Sequence, residues 1–354
     1  MIEKQLIYDL DFSMLQQKLQ SWGEPVFRVN QIWRGLYNNL WSTPAQFTNL
    51  PKSLRGKIDT ELSLSGLQPS TVLTSRDGET LKTLFTLPDN NAIEAVLMRY
   101  HRRNTLCISS QAGCALGCVF CATGQMGFKR QLTSGEIIEQ VIYYARQLAT
   151  KSEQATNIVL MGMGEPFLNY DTVIDAIDRL NHPTGMNLGA RRFTISTVGI
   201  VPMIQRFAKE KRQVNLAISL HAATDQQRSE LMPINNKYPI AEIMGAVREY
   251  ATLTSRRVTF EWALIQGVND STANARELGQ LLKGLLCHVN AIPLNPTRNF
   301  KGRGSSHERA AAFKAELERN GVPCTIRIRR GIDIQAGCGQ LATQASKDKN
   351  SSVL

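Results

Sequence analysis

The stretch Cys114-Ala-Leu-Gly-Cys118-Val-Phe-Cys121 decides how this chain is read. Three thiols spaced C-x3-C-x2-C on one short loop can each hold one iron of a cubane cluster, and the spacing leaves the fourth iron without a local protein ligand. An open metal position is a place for chemistry. A structural zinc site instead closes a tetrahedron of four ligands, commonly from paired C-x2-C knuckles, and no second knuckle is present. Cys107 is the nearby thiol that could complete a zinc site, so zinc held with Cys107 stays open as an alternative. Inert buried thiols rarely cluster in this way.

The other cysteines and the composition bound the class. Seven cysteines are an odd number, and Cys107, Cys114, Cys118 and Cys121 fall within fifteen residues of one another, which is poor arithmetic for a disulfide framework. Met1-Ile-Glu-Lys-Gln carries no basic segment leading into an apolar run, and no later stretch stays apolar for ~18 residues. A cytoplasmic protein with reduced thiols and no membrane contact is expected. At 354 residues and 42% hydrophobic content, the chain can fill one large domain and an accessory one. Lys and Arg outnumber Asp and Glu 41 to 30, giving +11 and a pI of about 9.4, which suggests an acidic partner, with nucleic acid the leading candidate.

Toward the N-terminus, Leu15, Leu19 and Trp22 recur at helical spacing before Gly23, and a second helix is predicted over residues 29–40. Phe27-Arg28-Val29-Asn30-Gln31-Ile32-Trp33-Arg34 mixes rings with guanidinium groups, a combination that stacks on unpaired bases and pairs with phosphate. Ile32, Trp33 and Leu36 read better as the core of a small helical domain, whereas Arg28 and Arg34 fit either role. Strands are predicted at 71–75, 80–87 and 92–99, separated by the hairpin signals Asp77-Gly78 and Pro88-Asp89-Asn90-Asn91. Glu94 stands among Ile93, Ala95 and Val96, where the ordinary reading is the solvent side of a half-buried strand.

From residue 106 strands and helices alternate. Strands are predicted at 106–109, 158–161, 192–196, 214–220, 258–265, 289–293 and 325–329. Capping boxes at Thr133-Ser-Gly-Glu136, Thr224-Asp-Gln-Gln227 and Ser305-Ser-His-Glu308 open three of the helices, the first of which buries Ile137, Ile138, Val141, Ile142 and Leu148. Repeated βα units imply parallel strands with right-handed crossovers, so a doubly wound sheet and a barrel are both open. Either fold binds ligands at the carboxyl ends of its strands.

Polar motifs stand at those ends: Gly162-Met-Gly164-Glu165-Pro166, Ser196-Thr197, Ser219-Leu220-His221 and Asn295-Pro296. Glycines let backbone approach a ligand, Glu165 can accept from an ammonium group, and short polar side chains suit ribose, carboxylate or adenine edges. Arg102-Arg103, Arg191-Arg192, Arg256-Arg257, the group Arg327, Arg329 and Arg330, and the loop holding Arg298, Lys301 and Arg303 suggest a phosphate-binding rim. In Gly337-Cys338-Gly339 the flanking glycines give access and mobility to a thiol that moves or reacts. Cys287 and Cys324 read as core thiols, and the polar tail 345–352 as disordered.

The cysteine motif with Phe120 resembles the radical S-adenosylmethionine (SAM) superfamily. Extended to Cys107-Ile-Ser-Ser-Gln-Ala-Gly-Cys114, Cys121-Ala-Thr-Gly, Gly162-Met-Gly-Glu-Pro, Ser219-Leu-His221, Leu294-Asn295-Pro296 and Gly337-Cys338-Gly339, it resembles the radical SAM ribosomal RNA adenine methyltransferases over nearly the whole chain. The resemblance implies an α/β partial (βα)6 barrel with a small N-terminal helical domain and a β-hairpin extension. Its expected divisions are 1–68 helical and RNA-binding, 69–100 antiparallel extension, 101–331 core, and 332–354 a C-terminal loop with Cys338 and a polar tail.

The resemblance further implies a 4Fe-4S cluster on Cys114, Cys118 and Cys121, and SAM held by Gly164, Glu165, Ser196, Ser219, Leu220, His221 and Asn295. Cys338 is implied as a methyl carrier, Cys107 as its transient disulfide partner, and Glu94 as a proton acceptor. The implied target is carbon 2 of an adenine in 23S rRNA and the adenine 3′ to the anticodon in some tRNAs. A reducing electron donor such as flavodoxin and a monomeric enzyme follow from the same resemblance. The sister branch that methylates carbon 8 shares the five cysteines. A zinc-dependent RNA-binding protein would leave Cys338 without purpose, and a radical SAM enzyme for a small molecule or peptide would not explain the basic rim.

Overall fold

The computed structural model describes residues 4–342, so the tail 345–352 lies outside the described residues. Three helices come first: α1 (Phe12–Ser21), α2 (Phe27–Tyr37) and α3 (Lys52–Glu61). Asp11 caps α1 by accepting from the Met14 N–H, and Val29, Ile32, Trp33 and Leu36 of α2 are buried as core. Arg28 donates to Gln31 and to the Asn49 carbonyl beside the exposed Phe27 ring, whereas Arg34 is exposed.

Ten strands then form one sheet. Antiparallel β1 (Gln68–Thr74), β2 (Thr80–Thr86) and β3 (Ala92–Tyr100) lead into β4 (Arg103–Cys107), and the turns use positive φ at Gly78 and Asn90. β4 begins a parallel series that continues through β5 (Asn157–Leu160), β6 (Phe193–Thr197), β7 (Asn215–Ser219), β8 (Val258–Leu264), β9 (Cys287–Pro293) and β10 (Cys324–Ile326). Neighbours in the sheet are neighbours in sequence. The order never reverses, which rules out the doubly wound alternative and leaves a sheet that curls in one direction into a partial barrel.

The crossovers carry α4 (Ser134–Ala149), α5 (Tyr170–Asn181), α6 (Val201–Glu210), α7 (Asp225–Leu231), α8 (Ile240–Thr254), α9 (Thr272–Leu281) and α10 (His307–Arg319). Thr133 and Glu136 cap α4 reciprocally, and Thr224 accepts from the Gln227 N–H at α7. The third expected box shifts by one residue. Ser306 caps α10, because the Ser305 hydroxyl donates instead to the buried Asp270 carboxylate at 2.5 Å. β10 is shorter than the 325–329 expected. After Ile326 the chain leaves the sheet, and residues 327–342 cross the open side of the barrel to the antiparallel strands. That crossing is pinned by Arg330 to the Arg99 carbonyl (3.1 Å), Arg76 N–H to Asp333 (2.9 Å), Lys82 to the Gln335 carbonyl (3.2 Å) and Ala342 N–H to Glu94 (3.0 Å).

The N-terminal helices dock on α4 and α5 through buried polar contacts. Arg146 donates to the Leu40 and Trp41 carbonyls and the Tyr8 hydroxyl, Arg179 donates to the Tyr8 carbonyl at 2.7 Å, and Gly66 N–H donates to Glu139 at 2.8 Å. Burial raises the Glu139 carboxyl from its ordinary 4.5 to about 7, despite the opposing hydrogen bonds from Gly66 and Ser65. An acid raised in the folded state costs nothing below its unfolded pKa, and its cost grows as pH rises to the folded value. Over the shift from 4.5 to about 7 this amounts to about 3 kcal/mol at most. Glu139→Gln is therefore expected to gain stability relative to the parent on going from pH 4.5 to pH 8, by up to about 3 kcal/mol. Urea unfolding at the two pH values checks this, and an equal difference at both would contradict it.

Candidate active site

The carboxyl ends of the parallel strands surround a cavity of about 1030 Å³. Its wall brings together Cys114, Cys118, Cys121, Gly164, Glu165, Ser196, Ser219, His221, Asn295 and Cys338, ten of the thirteen residues the sequence singled out. A second cavity of about 620 Å³ adjoins it, lined by Cys107, Tyr100, Met98, Arg327 and Arg330, and shares with it Asn295 and Cys338. Cys338 thus stands where the two spaces meet.

The cysteine loop is shaped by backbone. Residues Gln111–Gly113 pair with Phe128–Gln131, and Cys114 N–H donates to the Gly127 carbonyl at 3.0 Å. Gly113 has φ +76, and a Cβ there would lie 2.0 Å from that same carbonyl oxygen, so only glycine brings the chain into Cys114 this way. Cys114 and Cys118 are buried, which pushes the Cys114 thiol up to about 12 and raises Cys118 as well, with Cys121 adding to both. A bound cationic metal would draw off their protons. Among the described residues no three His, Cys, Asp or Glu groups stand close enough to share one ion. Cys107, the fourth ligand of the zinc alternative, faces Cys338 in the second cavity. The donor set fits a three-thiolate cubane.

Opposite the cysteines, Gly164 adopts φ +98, and a Cβ there would fall 2.5 Å from Gln111 Cβ. This close approach turns Glu165 inward, where its carboxylate accepts from the Phe167 and Val198 N–H groups, both at 2.9 Å. Burial nevertheless raises Glu165 to about 7, so a cationic ligand group would draw it fully to the carboxylate. Ser196 Oγ and Ser219 Oγ stand 3.3 Å apart. His221 has φ +61, and its Nδ1 accepts from the Ala263 N–H at 2.9 Å, which leaves Nε2–H as the donor. Burial, with Arg228 adding, brings its pKa down to about 3, so the ring is neutral. Asn295 donates from Nδ2 to the Cys338 carbonyl at 3.1 Å, while its buried Oδ1 has no partner, an acceptor left for a ligand.

Leu220 does not reach the cavity. Its side chain is fully buried, its carbonyl accepts from Arg228 and its N–H donates to the Glu261 carbonyl. Glu94 is also off the wall, and it is not on a solvent face: it is 3% exposed, 3.2 Å from Lys82, and accepts from the Ala342 N–H. The two glycines beside Cys338 serve different ends, Gly337 close packing and Gly339 a backbone at φ +78. A Cβ at Gly337 would strike Asn295 Nδ2 at 2.6 Å, and the Gly339 carbonyl accepts from Ala122 N–H at 2.8 Å. The Cys338 thiol itself opens to solvent while ringed by protein atoms, an enclosure that pushes it up to about 11 against the pull of Arg327. Arg102-Arg103, Arg191-Arg192 and Arg256-Arg257 stand at the amino ends of β4, β6 and β8, so they do not belong to a rim at the carboxyl ends; Arg298, Lys301 and Arg303 and the 327–330 group do follow strands. Arg103 and Arg330 each stack on the Tyr100 ring at 4.4 Å.

Sequence reasoning missed Glu261, whose carboxylate lines the cavity and accepts from Asn290 Nδ2 at 3.1 Å, although a charge inside the apolar run of β8 was a signal. It also missed Arg228, whose place in a polar helix start gave no signal.

Comparison with known proteins agrees with this geometry. Residues 108–278 match the family model of the radical SAM superfamily, and residues 6–64 match that of the ribosomal RNA large subunit methyltransferase N-terminal domain. A probable dual-specificity RNA methyltransferase RlmN of Chloroflexus aurantiacus is 48% identical over 360 residues, covering 99% of this chain and 96% of that protein. Its namesake in Geobacillus kaustophilus is 46% identical over 345 residues, covering 97% and 94%. The crystal structure of a radical SAM methyltransferase from Sphaerobacter thermophilus superposes with a TM-score of 0.94 at 49% identity, over 96% of this chain and 100% of that one. The chain belongs to the RlmN family of radical SAM methyltransferases.

Proposed function

We propose that this chain methylates carbon 2 of an adenine in 23S rRNA, and the adenine 3′ to the anticodon in some tRNAs, with Cys338 as methyl carrier. The observation that carries the reading is the position of Cys338 between the cavity of Cys114, Cys118, Cys121 and Glu165 and the cavity of Cys107 and Arg327. Carbon 2 of adenine lies between two ring nitrogens and is not a nucleophile, so a direct methyl displacement is unfavourable and a radical route is needed. Cys114, Cys118 and Cys121 would hold a 4Fe-4S cluster, which would supply the electron that cleaves SAM.

The chain's residues do the rest. Glu165 holds the ammonium group of SAM, and Ser196, Ser219, His221 Nε2–H and Asn295 Oδ1 offer hydrogen bonds to its polar edges. Cys338, once deprotonated beside Arg327, takes a methyl group as a thioether. Its sulfur then presents that carbon to a base in the second cavity, whose basic edge at Arg327, Arg329 and Arg330 meets phosphate. Cys107, which lines the second cavity with Cys338, or Glu94 accepts the proton released from the adduct; burial raises the Glu94 pKa, but Glu94 lies behind the wall and would need the Ala342 contact to open. The Cys107 thiolate attacks the Cys338 sulfur, the bond from sulfur to product carbon breaks, that carbon takes up a proton to complete the methyl group, and the disulfide left behind must be reduced for the next turnover. The enzyme is proposed to work in the cytoplasm as a monomer served by a reducing donor such as flavodoxin; no helix among the described residues is long and apolar enough to cross a membrane.

Anaerobic reconstitution with iron and sulfide, followed by SAM, reductant and 23S rRNA fragments, tests the reading by mass spectrometry of nucleosides. 2-Methyladenosine is expected. 8-Methyladenosine would move the chain to the sister chemistry, and SAM cleavage without a modified base would contradict an RNA substrate. Gly164→Ala is expected to weaken SAM binding roughly tenfold or more, since its φ and the Gln111 contact impose strain of about 1–3 kcal/mol. Equilibrium binding to the reconstituted chain checks this.

A further inference from the structure

Helix α7 carries a charge that the fold leaves without a counter-charge. Arg228 is completely buried, and each of its hydrogen bonds ends on a neutral oxygen. Nε donates to the Leu220 carbonyl at 3.1 Å and Nη1 to Asn235 Oδ1 at 2.9 Å, while Nη2 donates to the carbonyls of Val198 at 2.5 Å and Ser219 at 3.3 Å. Asp225 on the same helix accepts instead from Asn235 Nδ2 at 3.0 Å and from the Ile240 N–H at 2.8 Å. An unpaired buried ion is costly by several kcal/mol, and such groups normally find a partner of opposite sign.

Cys118 is that partner in waiting. The cysteine loop and α7 are joined directly, since Val119 N–H donates to the Leu231 carbonyl at 3.1 Å, and Arg228 holds the carbonyls of Val198 and Ser219, residues that line the cavity together with Cys118. Cys118 and Phe120 share one apolar cluster with Leu231 and Met232 at the end of α7, so the charge is set among apolar side chains that screen it little. Burial brings Arg228 down only to about 10, so it stays charged at neutral pH.

We propose that Arg228 is the fixed positive charge of the cluster site, a positioning residue that offsets the thiolate-held cluster and raises its reduction potential. The same side chain bolts together the carbonyls of Val198, Ser219 and Leu220, and so ties the strand ends that face SAM to the charge that faces the cluster. Adding an electron makes the cluster more negative, and a cation in a dry, low-dielectric setting stabilises that form more than the oxidised one. The inference rests on the cluster assignment to Cys114, Cys118 and Cys121.

The test uses the full chain, reconstituted with iron and sulfide, and reads the midpoint potential by dye-mediated titration followed by electron paramagnetic resonance. In Arg228→Gln at equal iron content the reduction equilibrium is expected to become at least tenfold less favourable, a shift of ~59 mV for one electron. Arg228→Lys, which keeps the charge, is expected to retain most of the parent's potential. An unchanged potential in Arg228→Gln overturns the proposal, and equal loss of SAM affinity in both variants without a shift would make Arg228 a structural bolt only. If Arg228→Gln does not fold, Arg228→Met, which keeps the apolar stem and removes the charge, takes its place; its potential must fall likewise, and constancy overturns the proposal. A parent chain that takes up no cluster would refute the cluster assignment instead.

Discussion

Cys338→Ala is expected to load iron and sulfide and to cleave SAM at rates close to the parent, yet to transfer no methyl group to RNA, a loss of roughly 10³-fold or more. The expectation follows from where the thiol sits. Cys338 is separate from the three loop cysteines, and its neighbours on the chain are pinned through backbone: the Cys338 carbonyl accepts from Asn295, and the Gly339 carbonyl from Ala122. Replacing the sulfur by hydrogen disturbs none of these contacts. Iron content, SAM cleavage and methyl transfer measured on one preparation separate a chemical role from a structural one, and loss of iron in this variant would make Cys338 structural.

Cys118→Ala is expected to have the opposite signature. The side chain is buried in a small apolar cluster with Phe120, Leu231, Met232 and Leu294, where a methyl group is tolerated, so the far-ultraviolet circular dichroism of the variant should match the parent. With one of three thiolates gone, the cluster loses a covalent anchor. Iron content should fall by most of its value, and SAM cleavage should drop to background. Retention of full iron and activity would mean that Cys118 is not a ligand, and would reopen the choice of donors that includes Cys107.

Much of this was legible in the sequence because it is written in local patterns. The C-x3-C-x2-C loop, the glycines at 162 and 164 and the short polar residues after each strand are set by spacing, and the fold gathers them because parallel strands all end on one side. The hairpin turns were legible for the same reason, as only Gly78 and Asn90 need positive φ there. What escaped depends on distance along the chain. Glu94 reads as a surface residue until Ala342, 248 positions away, covers it and Lys82 is drawn in beside it. Leu220 carries a motif yet points into the core, since an alternating strand sends only every second side chain toward the cavity. Arg228 looks like any charge on an amphipathic helix, and its burial depends on carbonyls from two other strand ends. The basic pairs misled because strand direction, not proximity to a strand, decides which end of the barrel they occupy.

The central claim is that Cys338 carries the methyl group between two cavities. The direct test incubates the reconstituted protein with SAM bearing a deuterated methyl group, without RNA, and maps the labelled peptide by mass spectrometry. The account predicts a single methyl on Cys338, consumed when RNA is added. A methyl group on another residue, or none on Cys338 in a protein that still methylates RNA, would contradict it.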